Sequence, residues 1–100
     1  VLLNNSENLN NGNAVSLLTT ASYFTTTGTS TATLAAGTDG QIKTFMMVAD
    51  GGDMIITVAN AGWKSSGTGT ITFNDTGDGC TLQYINSKWY CVGNNGVTFA

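Results

Sequence analysis

The chain has 100 residues, 41% of them hydrophobic, which is enough for one thin core and therefore one domain. Six acidic and three basic residues give a net charge of −3; the bases are all lysine, and neither arginine nor histidine occurs. That sets aside a basic nucleic-acid footprint. It also excludes Ser-His-Asp and Cys-His nucleophile arrangements and the usual histidine-bearing zinc sites.

Only 9% of residues are charged, against about 25% in an ordinary soluble domain. The polar residues are instead Thr, Asn, Ser and Gly, a surface more typical of exported or assembled proteins such as fibres, shells and lectins. Val, Ile, aromatic and Thr residues, as in TTASYFTTTGTSTAT (19–33), fit a pleated, half-buried surface, so the predicted class is all-β. The first residue is Val1 rather than Met, which reads as a processed product, a fragment or an ordered part of something longer. Val1-Leu2-Leu3 is far too short for a signal h-region or a membrane span.

In chain order, residues 1–13 read as a flexible polar arm, Asn-rich over NNSENLNNGN (4–13), and residues 14–100 as one β domain. AVSLL (14–18) and SYFT (22–25) are candidate strands, followed by one from roughly Ala32 to Ala36 and a turn at 36–40. QIKTFMMVAD (41–50) and DMIITVAN (53–60) form the strongest pair, with a loop at 61–69 after them. TITF (70–73), CTLQYI (80–85), KWYCV (88–92) and VTF (97–99) complete the series. No stretch holds a helical period over ten residues. Regular strands punctuated by Gly, Asn and Asp, with no proline, predict an antiparallel β-sandwich or a jelly-roll-like barrel with short hairpins.

Register adds detail. A two-residue hairpin loop at Gly51-Gly52 would pair Asp50 with Asp53 and Phe45 with Val58. Phe45, Met47, Met54, Ile56 and Val58 would then share one face, and Ile42, Met46, Val48, Ile55 and Ala59 the other. Both faces are apolar, so either another layer or a second chain must cover one of them, and in so small a domain a second chain is the expectation. Ile42, Met46, Val48 and Ile55 are the candidates for subunit contact, and Ile55→Asp would dissociate the oligomer. A second hairpin at Asn86-Ser87 would oppose Tyr84 to Trp89 and Leu82 to Cys91. Cys80 then lies diagonal to Cys91, near the far limit of bridgeable spacing, and two buried free thiols are expected.

Asp75-Thr76-Gly77, inside NDTGDG (74–79), is the triplet with which retroviral-type aspartic proteases hold a catalytic carboxylate. Only 25 residues follow Asp75, with no flap hairpin among them, and the stretch is also good turn chemistry, so a strand-connecting turn is expected. No catalytic residue and no cofactor is predicted. Asp75 and Asp78, or Asp50 and Asp53, are candidates for a calcium site with backbone carbonyls, without EF-hand spacing. Trp63 and Trp89, with Tyr23 and Tyr90, are candidate sugar-stacking rings; Trp63, in a Gly/Ser loop, is the expected glycan contact, and Trp89 is expected in the core or an interface. Asn4-Asn5-Ser6 and Asn74-Asp75-Thr76 match the glycosylation acceptor pattern, in a chain where Asn and Thr make such matches common.

AGTDGQIKTFMMVADGGDMIITVANAGW (36–63) and TITFNDTGDGCTLQYINSKWYCVGNNGVTFA (70–100) resemble a β-structured module of virion proteins in tailed bacteriophages. The matching features are Gly37-Thr38-Asp39-Gly40-Gln41 before a long strand, Gly51-Gly52-Asp53, Thr72-Phe73 entering an acidic turn, a strand bearing Trp89, and a closing Gly93-Asn94-Asn95-Gly96. The resemblance implies a non-enzymatic structural role on the virion's outer surface, with self-association as a homotrimer. A head decoration protein would bind the major capsid protein or another virion protein. A fibre or spike tip would bind a host receptor or glycan, and a secreted lectin is a lesser alternative. Neither nucleic acid nor membrane is an expected partner.

Overall fold

The computed structural model describes residues 5–100. Residues 1–4, with the start of the expected arm and of the Asn4-Asn5-Ser6 pattern, lie outside them. Ten strands follow in order: β1 (Ser6–Asn8), β2 (Asn13–Ala14), β3 (Ala21–Thr25), β4 (Ser30–Leu34), β5 (Ile42–Ala49), β6 (Met54–Val58), β7 (Gly69–Phe73), β8 (Gly79–Ile85), β9 (Lys88–Asn95) and β10 (Thr98–Phe99). The protein is all-β, and no helix occurs among the described residues.

The strands form two five-stranded sheets, ordered β1-β3-β5-β8-β9 and β10-β7-β6-β4-β2. The sheets are mixed, where antiparallel ones were expected. β1, β3 and β5 pair in parallel in the first sheet, and β2, β4 and β6 do so in the second. Each odd-numbered strand of this set therefore hands the chain to the opposite sheet. Three two-strand coils, β1-β2, β3-β4 and β5-β6, stack on one another. The remaining strands add antiparallel neighbours to the last coil: β7 and β10 beyond β6, β8 and β9 beyond β5.

Period-2 alternation drives this packing, because every second side chain of each strand must leave water. β4 and β6 bury their first, third and fifth residues. Phe24 pairs with Met47 in the first sheet, and Leu34 with Val58 in the second, all at most 1% exposed. Leu9 and Val15 continue the same two columns into the first coil, their amides donating to Tyr23 O and Thr33 O. Phe73 of the second sheet meets Phe24 edge-on at 4.9 Å and Phe45 at 6.3 Å, which joins the faces into one core.

Three sequence expectations change here. The polar arm, over its described residues, is the first coil. Its amides explain the order: Asn5 Oδ1 accepts from Thr20 N, Asn11 Oδ1 accepts from Thr31 N, and Asn5 Nδ2 donates to Leu18 O. The strand expected over 14–18 stops at Ala14; Val15 is buried, while Leu18 is 88% exposed. The hairpin at Gly51-Gly52 does not form, since β5 and β6 lie in opposite sheets. The two glycines instead let this crossover lie against the crossover beneath it. Gly51 N donates to Thr26 Oγ1, which donates to Gly52 O at 2.5 Å, and an added Cβ on either glycine would run into the Thr26–Gly28 backbone. Phe45, Met47, Met54, Ile56 and Val58 do all face the core, but from two facing sheets.

The Asn86-Ser87 hairpin forms as expected. Both residues have positive φ (54° and 64°), the geometry of the tight primed turns that match strand twist. Tyr84 opposes Trp89 with ring centroids 5.0 Å apart, and Leu82 opposes Cys91.

Candidate functional site

Because Lys43, Phe45 and Met47 point inward, Ile42, Thr44, Met46 and Val48 line the outer face of the first sheet. Ile42, Met46 and Val48 are 48%, 50% and 49% exposed. Tyr23 lies beside Met46 on β3, and Tyr90 beside Gln83, which itself pairs with Ile42. Gly79 opposite Met46 and Gly93 opposite Thr81 carry no side chains. They leave a shallow hollow next to the Met46 ridge, edged by Thr44, Thr81 and Asn95. Neither β3 nor β5 places a charged side chain on this face. The surface is thus an apolar ridge beside a glycine-floored hollow, on a strand pair at the centre of the sheet.

Ile55 does not join it. It is half-buried on the outer face of the second sheet, between Thr31 and Thr72, on the opposite side of the molecule. Sequence reasoning placed all four residues on one face because it paired β5 with β6. Nor did the sequence place Tyr23 and Tyr90, singled out there as candidate sugar-stacking rings, beside this ridge, because their neighbours are fixed only by long-range pairing.

NDTGDG crosses between the sheets, from β7 to β8. Asp78 is buried, and its Oδ2 accepts from Asn74 N and Asp75 N at 3.2 and 3.1 Å, so this carboxylate holds the turn together. Asp75 is exposed, and Thr76 Oγ1 accepts from Asp50 N. Among the described residues no three carboxylates or thiols converge as metal ligands. Trp63 packs edge-on against Phe99 at 4.8 Å and donates its ring N–H to Ala100 O, so its edge is committed to the protein.

Both cysteines are free, but only Cys80 is buried; Cys91, on the edge strand β9, is exposed. Burial, reinforced by the nearby Cys91 thiol, pushes the Cys80 thiol up to about 12 from its usual 9.0. The folded chain then holds this proton at pH values where the unfolded chain has lost it. Stability from this group is complete below pH 9.0 and falls as pH rises toward about 12. Cys80→Ala is expected to flatten that alkaline decline, measured as urea midpoints against pH. An unchanged slope would assign the decline to other groups.

The sequence also concealed a buried lysine. Lys43 is fully buried, and its Nζ donates to Thr19 O, Thr19 Oγ1 and Ser22 Oγ at 2.9–3.0 Å. Glu7 Oε2 lies 4.0 Å away and accepts from Ser22 Oγ (2.6 Å) and Ser16 N (2.8 Å). Burial lowers the Lys43 pKa from 10.5, and Glu7 opposes that shift. The inward phase shared with Phe45 and Met47 was the signal in the sequence. Every partner here is internal, so the group reads as a tie between coils.

No protein-family model matches the chain, and no curated protein matches it.

Proposed function

We propose that the chain is a non-enzymatic structural module of a phage virion that assembles with copies of itself through the outer face of the first sheet. The observation that carries the reading is the exposed apolar ridge of Ile42, Met46 and Val48 with Tyr23 beside it. One face of a sheet that packs on a core is ordinarily polar, and contiguous apolar surface of this kind marks an interaction site. The phage assignment draws on the resemblance of residues 36–63 and 70–100. In this reading the two packed sheets make a β-sandwich of stacked coils. Three copies bring their ridges together, and the trimer stabilises an assembled head by binding the closed shell, with its major capsid protein, in preference to the open one.

A fibre or spike tip is the second reading. The stack of parallel coils favours it, because coil-on-coil architectures extend along one axis. Both readings share the self-association, and they separate when labelled protein is offered to empty capsids and to host cells.

Self-association is tested by native mass in solution. A concentration-stable trimer is expected for the unaltered chain, and Met46→Asp should reduce it to monomer by burying an unpaired charge in each contact. Ile55→Asp, on the other side of the molecule, should leave the mass unchanged. A monomeric unaltered chain, or a Met46→Asp variant that stays trimeric, would remove this surface from the assembly.

A further inference from the structure

The outer face of the second sheet has a different chemistry. Ala32, Leu34, Ile56, Val58, Ile71 and Phe73 point inward, so their strand neighbours point out. The register lines those neighbours up in two rows across the strands. One row runs Thr31, Ile55, Thr72, Thr98, and the other Thr33, Thr57, Thr70. Neither row contains a charge or an aromatic ring. Among the described residues none of the six threonine hydroxyls makes a hydrogen bond to the protein, although Thr31, Thr33, Thr57 and Thr98 are exposed and Thr70 and Thr72 half-exposed.

Backbone pairing sets the spacing of this array at about 4.8 Å between strands and about 6.7 Å between rows, two residues apart along a strand. Threonine is stiff at χ1, so each hydroxyl and methyl is held in place before any ligand arrives. A two-dimensional lattice of rigid hydroxyls and methyls, without charge to order water radially, complements a solid whose surface repeats at similar distances and presents hydrogen-bonding oxygens. We propose that this face binds ice. A crystalline polysaccharide fits it less well, since flat sugar rings are held by exposed aromatic platforms and the rows have none. Adjacent strands twist by roughly 20–25°, which confines the lattice match to the central strands β4, β6 and β7. Those three carry five of the six threonines. A patch of that size predicts partition into slowly growing ice and slowed recrystallisation, with little depression of the freezing point. The site is on the opposite side of the molecule from Met46 and does not depend on the assembly reading.

The test is to grow ice slowly in a dilute solution of the full chain and measure the protein in the solid. The unaltered chain and Met46→Asp should both be enriched in the ice over a non-binding control protein. Thr57→Lys and Thr33→Lys, checked for native circular dichroism, should fall to the level of that control; both positions are exposed on the outer face, so the lysine reaches solvent without entering the core. Exclusion of the unaltered chain from ice, equal incorporation of a folded lysine variant, or retention on crystalline chitin or cellulose in place of ice would each overturn the proposal.

Discussion

Trp89→Ala is expected to cost about 3–5 kcal/mol, the range for truncating a large buried aromatic side chain. That is a large fraction of the roughly 5–15 kcal/mol that holds a domain of this size folded. Trp89 is the largest side chain wholly removed from solvent, and it fills the end of the core between the sheets. Its indole N–H donates to Ala35 O at 2.9 Å, its own amide donates to Asn60 O, and its carbonyl accepts from Gly62 N. The truncation would therefore open a cavity against Tyr84 and also remove the hydrogen bond to Ala35 O. Gly37 lies so close to the ring that an added Cβ would clash with it, so the 35–40 segment is shaped around this side chain. Urea unfolding followed by circular dichroism reads the loss directly. Trp89→Phe should lose less, because it keeps most of the volume while giving up the hydrogen bond. A loss below about 1 kcal/mol for alanine would mean that the end of the core collapses onto the gap and that Trp89 does not hold it open.

What could be read from the sequence was what neighbours in the chain decide. The Asn86-Ser87 hairpin and its Tyr84–Trp89 pair are local, so turn chemistry and a period of two were enough. The inward and outward sets of β5 and β6 were legible for the same reason, and with them Ile42, Met46 and Val48 as surface residues. Strand partners were not legible. Ser6 pairs with Ala21 and Ala21 with Thr44, and no local pattern selects those partners over a hairpin. Gly51-Gly52 suits a tight hairpin and a close crossover equally well; the choice falls to Thr26 and Gly28, which lie far back in the chain. Ile55 was misplaced by that single pairing error. The Asn-rich start read as an arm because its few apolar residues cannot hold a core. Its order comes from amides satisfying the backbone of the next coil, and composition does not reveal that.

Glu7→Ala is expected to cost about 2–3 kcal/mol, the scale of hydrogen bonds to a charged group, and to do so locally. Glu7 belongs to the first coil, Ser22 to the second and Lys43 to the third, so one carboxylate ties together the outermost coil and a fully buried ammonium. The 4.0 Å separation and the 22% exposure of the Glu7 side chain place its direct attraction to Lys43 below that of a fully buried pair. Much of the loss therefore comes from Ser16 N and Ser22 Oγ, which would lose their acceptor. The first coil is also the element with the least packing, since β1 and β2 have three and two residues and both lie at sheet edges. The variant should accordingly lose hydrogen-exchange protection at Leu9 and Val15, whose amides bond to the second coil, while β5 and β8 keep theirs. Lys43→Met separates the two contributions, because methionine replaces the buried stem and removes the ammonium with its charge and its hydrogen bonds to Thr19 and Ser22. In that background Glu7→Ala should cost less by about 1 kcal/mol, the coupling that a double-mutant cycle reports for one shared network. Strict additivity of the two substitutions would show that the carboxylate orders the first coil through its serine contacts alone, and that the buried lysine is held by Thr19 and Ser22 without it.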